Sequence, residues 1–137
     1  MNYDVWNILH DGRIKAAAGH VPGDVTFKIE IAYLCGKLPT SSTHLHVRLC
    51  HCTRLCFKPW DGDPCTDVAE FGSRNVWILQ ADQEGDHIRI DFNEGHLEIV
   101  YDSAEIYLAE GTPISQPDLE DATRRYWTEW SEKNARK

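Results

Sequence analysis

Two short stretches of the sequence hold residue types able to do chemistry. The first is His44-Leu45-His46-Val47-Arg48-Leu49-Cys50-His51-Cys52. On an extended strand His44 and His46 share a face, with Cα atoms about 7 Å apart, and Cys50 and Cys52 continue that face. Imidazole and thiolate together make a zinc ligand set. Two features count against it. Arg48 stands on the same face between the two pairs and repels a cation. Four consecutive same-face positions also reach too far to surround one ion unless the strand is interrupted. Free cysteine is commonly a small core hydrophobe, so no metal and no other cofactor is expected here.

The second stretch is Phe57-Lys58-Pro59-Trp60-Asp61-Gly62-Asp63-Pro64. Pro and Gly mark it as a surface turn. An indole flanked by carboxylates on a proline-stiffened loop suits an interface anchor. Trp60, Asp61, Asp63 and Asp67 are therefore the expected partner-binding residues. The three aspartates also look like the start of a calcium loop. An EF-hand beginning at Asp61 needs Gly at 66 and Glu at 72, and the chain has Thr66 and Gly72.

Signals for catalysis are weaker. Cys50, Cys52, Cys56 or Cys65 can act as a nucleophile only with a histidine in contact, and sequence does not show contact. Asp91, Glu94, Glu98, Asp102 and Glu105 offer carboxylates for acid–base work, but their alternation with apolar residues is that of a solvated strand face. G-x-S-x-G, H-E-x-x-H, P-loop and dinucleotide-binding patterns are absent. These signals lean against an enzyme and leave the question open.

Charge divides the chain. Residues 1–58 carry seven basic and four acidic side chains, a net +3, and residues 59–137 carry seven basic and eighteen acidic, a net −11. An acidic surface repels nucleic acid backbones and steers a basic protein toward it. The longest apolar runs are four or five residues, too short for a membrane helix. Met1 leads into Asn2-Tyr3-Asp4, so a signal peptide is not expected. Five cysteines, at 35, 50, 52, 56 and 65, read as reduced thiols of a cytoplasmic protein.

The elements that must position these residues follow mostly a period of two. Asp4 to His10 reads as a strand, and Asp11-Gly12 as a hairpin turn returning through Arg13 to Ala17. Val25, Phe27, Ile29, Ile31 and Tyr33 alternate with polar residues, marking a long half-buried strand. His44 to Phe57 is too long for one strand, so a bulge or tight turn is expected near Cys50 to Thr53. Asp67 to Ser73 reads as a short helical turn or an edge segment. Asn75–Ala81, His87–Phe92, His96–Tyr101 and Ala104–Ala109 read as a meander joined by short turns.

The period then changes. Ser115-Gln116-Pro117-Asp118 is a helix start, and Leu119, Ala122, Tyr126, Trp127 and Trp130 form one apolar stripe expected to cover the strands. The expectation is one α+β domain over 1–137: an antiparallel meander sheet or partial barrel of about eight or nine strands over 1–110, with an amphipathic helix over 115–135 packed on it.

These features suggest a small acidic binding module, cytoplasmic and bacterial, that neutralises a basic protein. Immunity proteins that block cationic nuclease toxins share its size and charge. The alternatives are a barrel-shaped ligand carrier or metal-dependent enzyme centred on His44 and His46, and a subunit that self-associates through a sheet edge or helix face. A closed cavity would favour the carrier. A filled core with an exposed acidic, aromatic patch would favour the binding module.

Overall fold

The alternation from His44 to Phe57 breaks at His51, whose backbone is left-handed (φ 54°), a conformation few non-glycine residues adopt. Asp24 fixes it. One carboxylate oxygen accepts the His51 N–H at 3.0 Å, and the other accepts from Arg48 Nη2 at 2.6 Å. The interruption turns Cys52 inward, fully buried. The chain thereby leaves β3 (His44–Cys52) in one sheet and enters β4 (Arg54–Pro59) in another. This is the turn expected between Cys50 and Thr53.

The computed structural model describes residues 3–135. Its remaining elements are α1 (Asp4–Ile8), β1 (Arg13–Gly19), β2 (Gly23–Glu30), α2 (Ala32–Cys35), α3 (Val68–Ser73), β5 (Ile78–Glu84), β6 (His87–Phe92), β7 (Gly95–Val100), β8 (Ser103–Leu108), β9 (Pro113–Ile114) and α4 (Gln116–Ala135). The fold is α+β. One antiparallel sheet runs β1-β2-β3-β8-β9 and the other β4-β7-β6-β5. Strands β7 and β8 turn the corner beside β3 and β4: Thr53 N–H donates to the Val100 carbonyl (2.9 Å) and Asp102 N–H to the Cys50 carbonyl (3.0 Å). At the opposite edges β1 meets the approach to β5 through the Arg13–Trp77 bridge. The sheets do not close into a continuous barrel.

The inward positions of the strands fill the space between the sheets. Phe27, Phe57, Phe71 and Phe92 stack in tilted and edge contacts, with ring centroids 5.2 to 6.1 Å apart. Trp6 joins Phe27 at 5.8 Å and donates its indole N–H to the Tyr101 hydroxyl at 2.9 Å. Burying an aromatic side chain of this kind contributes roughly 1.5–3 kcal/mol. Among the described residues, no polar or charged residue is buried as a whole; the polar pair inside the core is the Trp6 indole N–H and the Tyr101 hydroxyl.

Several expected elements differ. Asp4 to His10 is not a strand. Its buried residues Val5, Trp6 and Leu9 have helical spacing, and α1 is too short for periodicity to reveal it. Asp11-Gly12 therefore joins a helix to a strand, and β1 pairs with β2 instead. The long strand stops at Glu30, where Ile31 N–H turns to the Thr43 carbonyl (2.8 Å); Tyr33 lies in α2, its hydroxyl donating to the His10 carbonyl (2.8 Å). The strand expected from Asn75 is displaced to Ile78, after Asn75 takes a left-handed turn (φ 58°). Helix α4 starts where expected, with Ser115 Oγ accepting the Asp118 N–H at 3.2 Å. Of its stripe only Leu119 and Ala122 are buried. Tyr126, Trp127 and Trp130 pass over α1 and α2 and stay partly exposed.

The sheet edges are short or blocked. Asn7 acts as a partner strand for β5: its Nδ2 donates to the Ala81 carbonyl (3.0 Å) and its Oδ1 accepts the Ala81 N–H (2.8 Å). Cys65 exchanges two backbone hydrogen bonds with Phe57 on β4, each 2.8 Å. Helix α3 lies so close to β1 that a Cβ on Gly72 would sit 2.2 Å from the Ala17 nitrogen. Strand β9 has two residues and begins with proline. Such edges resist strand addition.

Candidate partner-binding surface

Strand β4 ends at Pro59, and the loop that follows is fixed on both sides. Trp60 N–H donates to the Glu94 carbonyl at 3.0 Å, and the Phe57–Cys65 bridge holds the return. Between them Gly62 adopts φ 123°, which a side chain would disfavour. The Trp60 indole does not fold into the core. It is 60% exposed and its main ring neighbour is His96, at 6.0 Å. Asp61 and Asp63 are exposed beside it, and Glu94 joins from the β6–β7 turn. None of these three carboxylates takes part in an ion pair among the described residues. Asp67 stands apart. Its carboxylate caps α3 by accepting the Glu70 N–H at 2.8 Å.

The His/Cys row does not converge. The His44 and His46 rings are 5.2 Å apart, edge to face, and His44 Nδ1 is 2.8 Å from Ser42 Oγ. Burial, with His44 and Lys28 nearby, holds His46 below the usual imidazole range. Arg48 is engaged by Asp24. Cys50 Sγ donates to Glu105 at 3.0 Å, which keeps the thiol protonated and its pKa above the ordinary value, the opposite of an activated nucleophile. Cys52 points into the core and donates to the Arg54 carbonyl at 3.4 Å. Among the described residues, no three His, Cys, Asp or Glu side chains are grouped to hold a metal ion. The five thiols are all unpaired.

The candidate acid–base carboxylates are scattered. Glu105 lies on the other sheet from Asp91 and Glu98. Glu98 sits between Arg54 (2.9 Å) and Lys58 (3.0 Å), with His87 at 3.7 Å. Partial burial pushes its pKa up, but Lys58 and Arg54 outweigh burial and hold it below the usual range. Asp91 is depressed in the same way, chiefly by Arg89 and Gln80. With Arg54, Lys58, His87 and Arg89 these two groups form a charge lattice across the outer face of the sheet.

Sequence reasoning missed two further parts of the surface. Trp77 is 44% exposed, with the Arg13 guanidinium 4.6 Å above its ring. Trp127 and Trp130, read as covering the strands, are 38% and 50% exposed. A stripe of helical aromatics does not reveal how far a helix extends past its support. No family model matches the sequence, and no curated protein and no solved structure is significantly similar to the chain.

Proposed function

We propose that the protein is a stoichiometric binding module that captures a basic partner protein through the Trp60 loop, and that it acts by contact rather than by catalysis. One observation carries this reading: a largely exposed indole on a fixed loop, with exposed Asp61 and Asp63 close by in the same loop and Glu94 bonded to its backbone, none of the three carboxylates in an ion pair among the described residues. Aromatic anchors within complementary charge are common centres of protein interfaces. An immunity-type inhibitor of a cationic toxin fits this description, as does its expected place among reduced thiols in the cytoplasm. The filled interior supports this reading over a ligand carrier; that Cys50 and Cys52 do not join the adjacent His44 and His46 supports it over a metal enzyme. No helix among the described residues is long and apolar enough to cross a membrane.

The test is affinity capture from source-cell lysate, with the unaltered protein and the Trp60→Ala and Asp61→Asn/Asp63→Asn variants as parallel baits. The expected result is a basic protein retained by the first and depleted on the other two. Equal retention on all three would remove the loop from the contact.

A further inference from the structure

The exposed tryptophans are linked through the structure although they are distant in sequence. Trp60 is bonded to Glu94 in the β6–β7 turn. The neighbouring residue of that turn, Asn93, binds Trp77 twice: its Oδ1 accepts the Trp77 N–H at 2.8 Å, and its own N–H donates to the Trp77 carbonyl at 3.3 Å. Trp77 and Tyr33 then face a common cleft of about 360 Å³, with Asp11, Arg13 and Glu30 on its walls. Tyr33 also borders a second cleft of about 570 Å³ between α2 and α4, closed on the other side by Tyr126 and Trp130. Trp127 sits against Tyr33 at 6.2 Å and stacks on His10 at 6.1 Å. The exposed tryptophans among the described residues are thus connected in series, Trp60 to Trp77 through the β6–β7 turn and Trp77 to Trp127 and Trp130 through the clefts that Tyr33 borders. We term this series the belt; the fifth tryptophan, Trp6, is buried.

The belt is also biased in charge. Asp61, Asp63, Glu94 and Glu132 on it form no ion pair among the described residues. Two of its cations are engaged: Arg13 covers Trp77, and Lys37 is bonded to Glu129, which it holds below the usual carboxylate range with help from Arg125 and Lys133. Lys133 in the α2–α4 cleft forms no ion pair among the described residues and offsets Glu132 there, so the excess of unpaired carboxylates lies at the Trp60 end. Arg13 over Trp77 also shows the chemistry available: indole faces attract guanidinium and ammonium groups.

We infer that the belt from Trp60 through Trp77 and Tyr33 to Trp130 is a single docking surface for an extended basic polypeptide segment, whose Arg and Lys side chains alternate between indole faces and the unpaired carboxylates. The inference rests on the basic-partner reading and extends it from one loop to a path around the molecule.

The protein labelled with 5-fluorotryptophan has five ¹⁹F reporters, four on the belt and the buried Trp6 as an internal control of folding. The probe is a twelve-residue peptide of alternating Arg and Gly, about 40 Å long when extended, compared with its Glu/Gly counterpart. On titration, Trp60, Trp77 and at least one of Trp127 and Trp130 should shift along one saturation curve, with Trp6 unmoved and the acidic peptide without effect. Asp61→Asn/Asp63→Asn/Glu94→Gln should weaken that curve at least threefold for all the moving reporters together. A shift confined to Trp60 would overturn the belt and leave the loop reading standing. A shift at Trp127 and Trp130 without Trp60 would overturn both the belt and the loop. No shift, or equal shifts with the acidic peptide, would overturn the belt and the basic-partner reading alike.

Discussion

Asp24 holds the backbone of His51, twenty-seven residues away, in the left-handed conformation that sends β3 into β4. The carboxylate is held below its ordinary value of 3.8, first by the His51 N–H and then by Arg48. A depressed carboxylate stabilises the fold above its unfolded pKa and loses that contribution as pH falls through the folded value. Asp24→Ala is expected to lower the melting temperature at pH 7. The gap between variant and parent should narrow as pH falls below about 4. Thermal melts at pH 7 and pH 3 check this; an equal gap at both would show that the ionised carboxylate is not what holds the corner.

The Trp6–Tyr101 pair ties α1 to the other side of that corner. Tyr101→Phe keeps the ring but leaves the Trp6 N–H without its acceptor in an apolar core, a loss of about 1–3 kcal/mol. Chemical denaturation should show a lower midpoint with an unchanged slope.

Gly72 has no room for a side chain, because its Cβ would meet the backbone of Ala16 and Ala17. Gly72→Ala must push α3 away from β1 and disturb Phe71 in the aromatic core. The expected cost is about 1–3 kcal/mol, read as a drop in denaturation midpoint, whereas Gly111→Ala, with open space around its Cβ but φ 95°, meets backbone strain alone.

Leu119 and Trp130 share the helical stripe but have different roles. Leu119→Ala should destabilise the protein by about 2–5 kcal/mol, as a buried leucine does. Trp130→Ala, half exposed, should change the melting temperature little while altering the α2–α4 cleft. Equal losses would mean that the end of α4 is as much core as its beginning.

The pattern of residues made much of this legible. The period of two gave the inward faces Val25-Phe27-Ile29 and Ile88-Ile90-Phe92, and the excess length of the His44–Phe57 run gave the corner. The helix start at Ser115 was readable because capping is a local interaction. What stayed hidden depended on tertiary partners. One turn of helix at Val5-Trp6 has no period to detect. Whether Trp127 and Trp130 meet support depends on where α1 and α2 end beneath them. The inward turn of Cys52 required His51 to adopt a positive φ that Asp24 imposes from another strand. For the candidate site, Trp60, Asp61 and Asp63 were visible because turn chemistry placed them at the surface. Glu94 and Trp77 were not, since only strand pairing brings the β6–β7 turn against the backbones of both Trp60 and Trp77.

The most direct measurement of the central claim is the kinetics of binding to the captured basic partner at low and at physiological salt. Asp61→Asn/Asp63→Asn should slow association and flatten its salt dependence, because rim charges act by steering. Trp60→Ala should chiefly speed dissociation, with a loss of roughly 2 kcal/mol or more for a desolvated anchor. Association indifferent to salt and to the aspartate changes, with dissociation unchanged by loss of the indole, would contradict capture of a basic protein by the Trp60 loop.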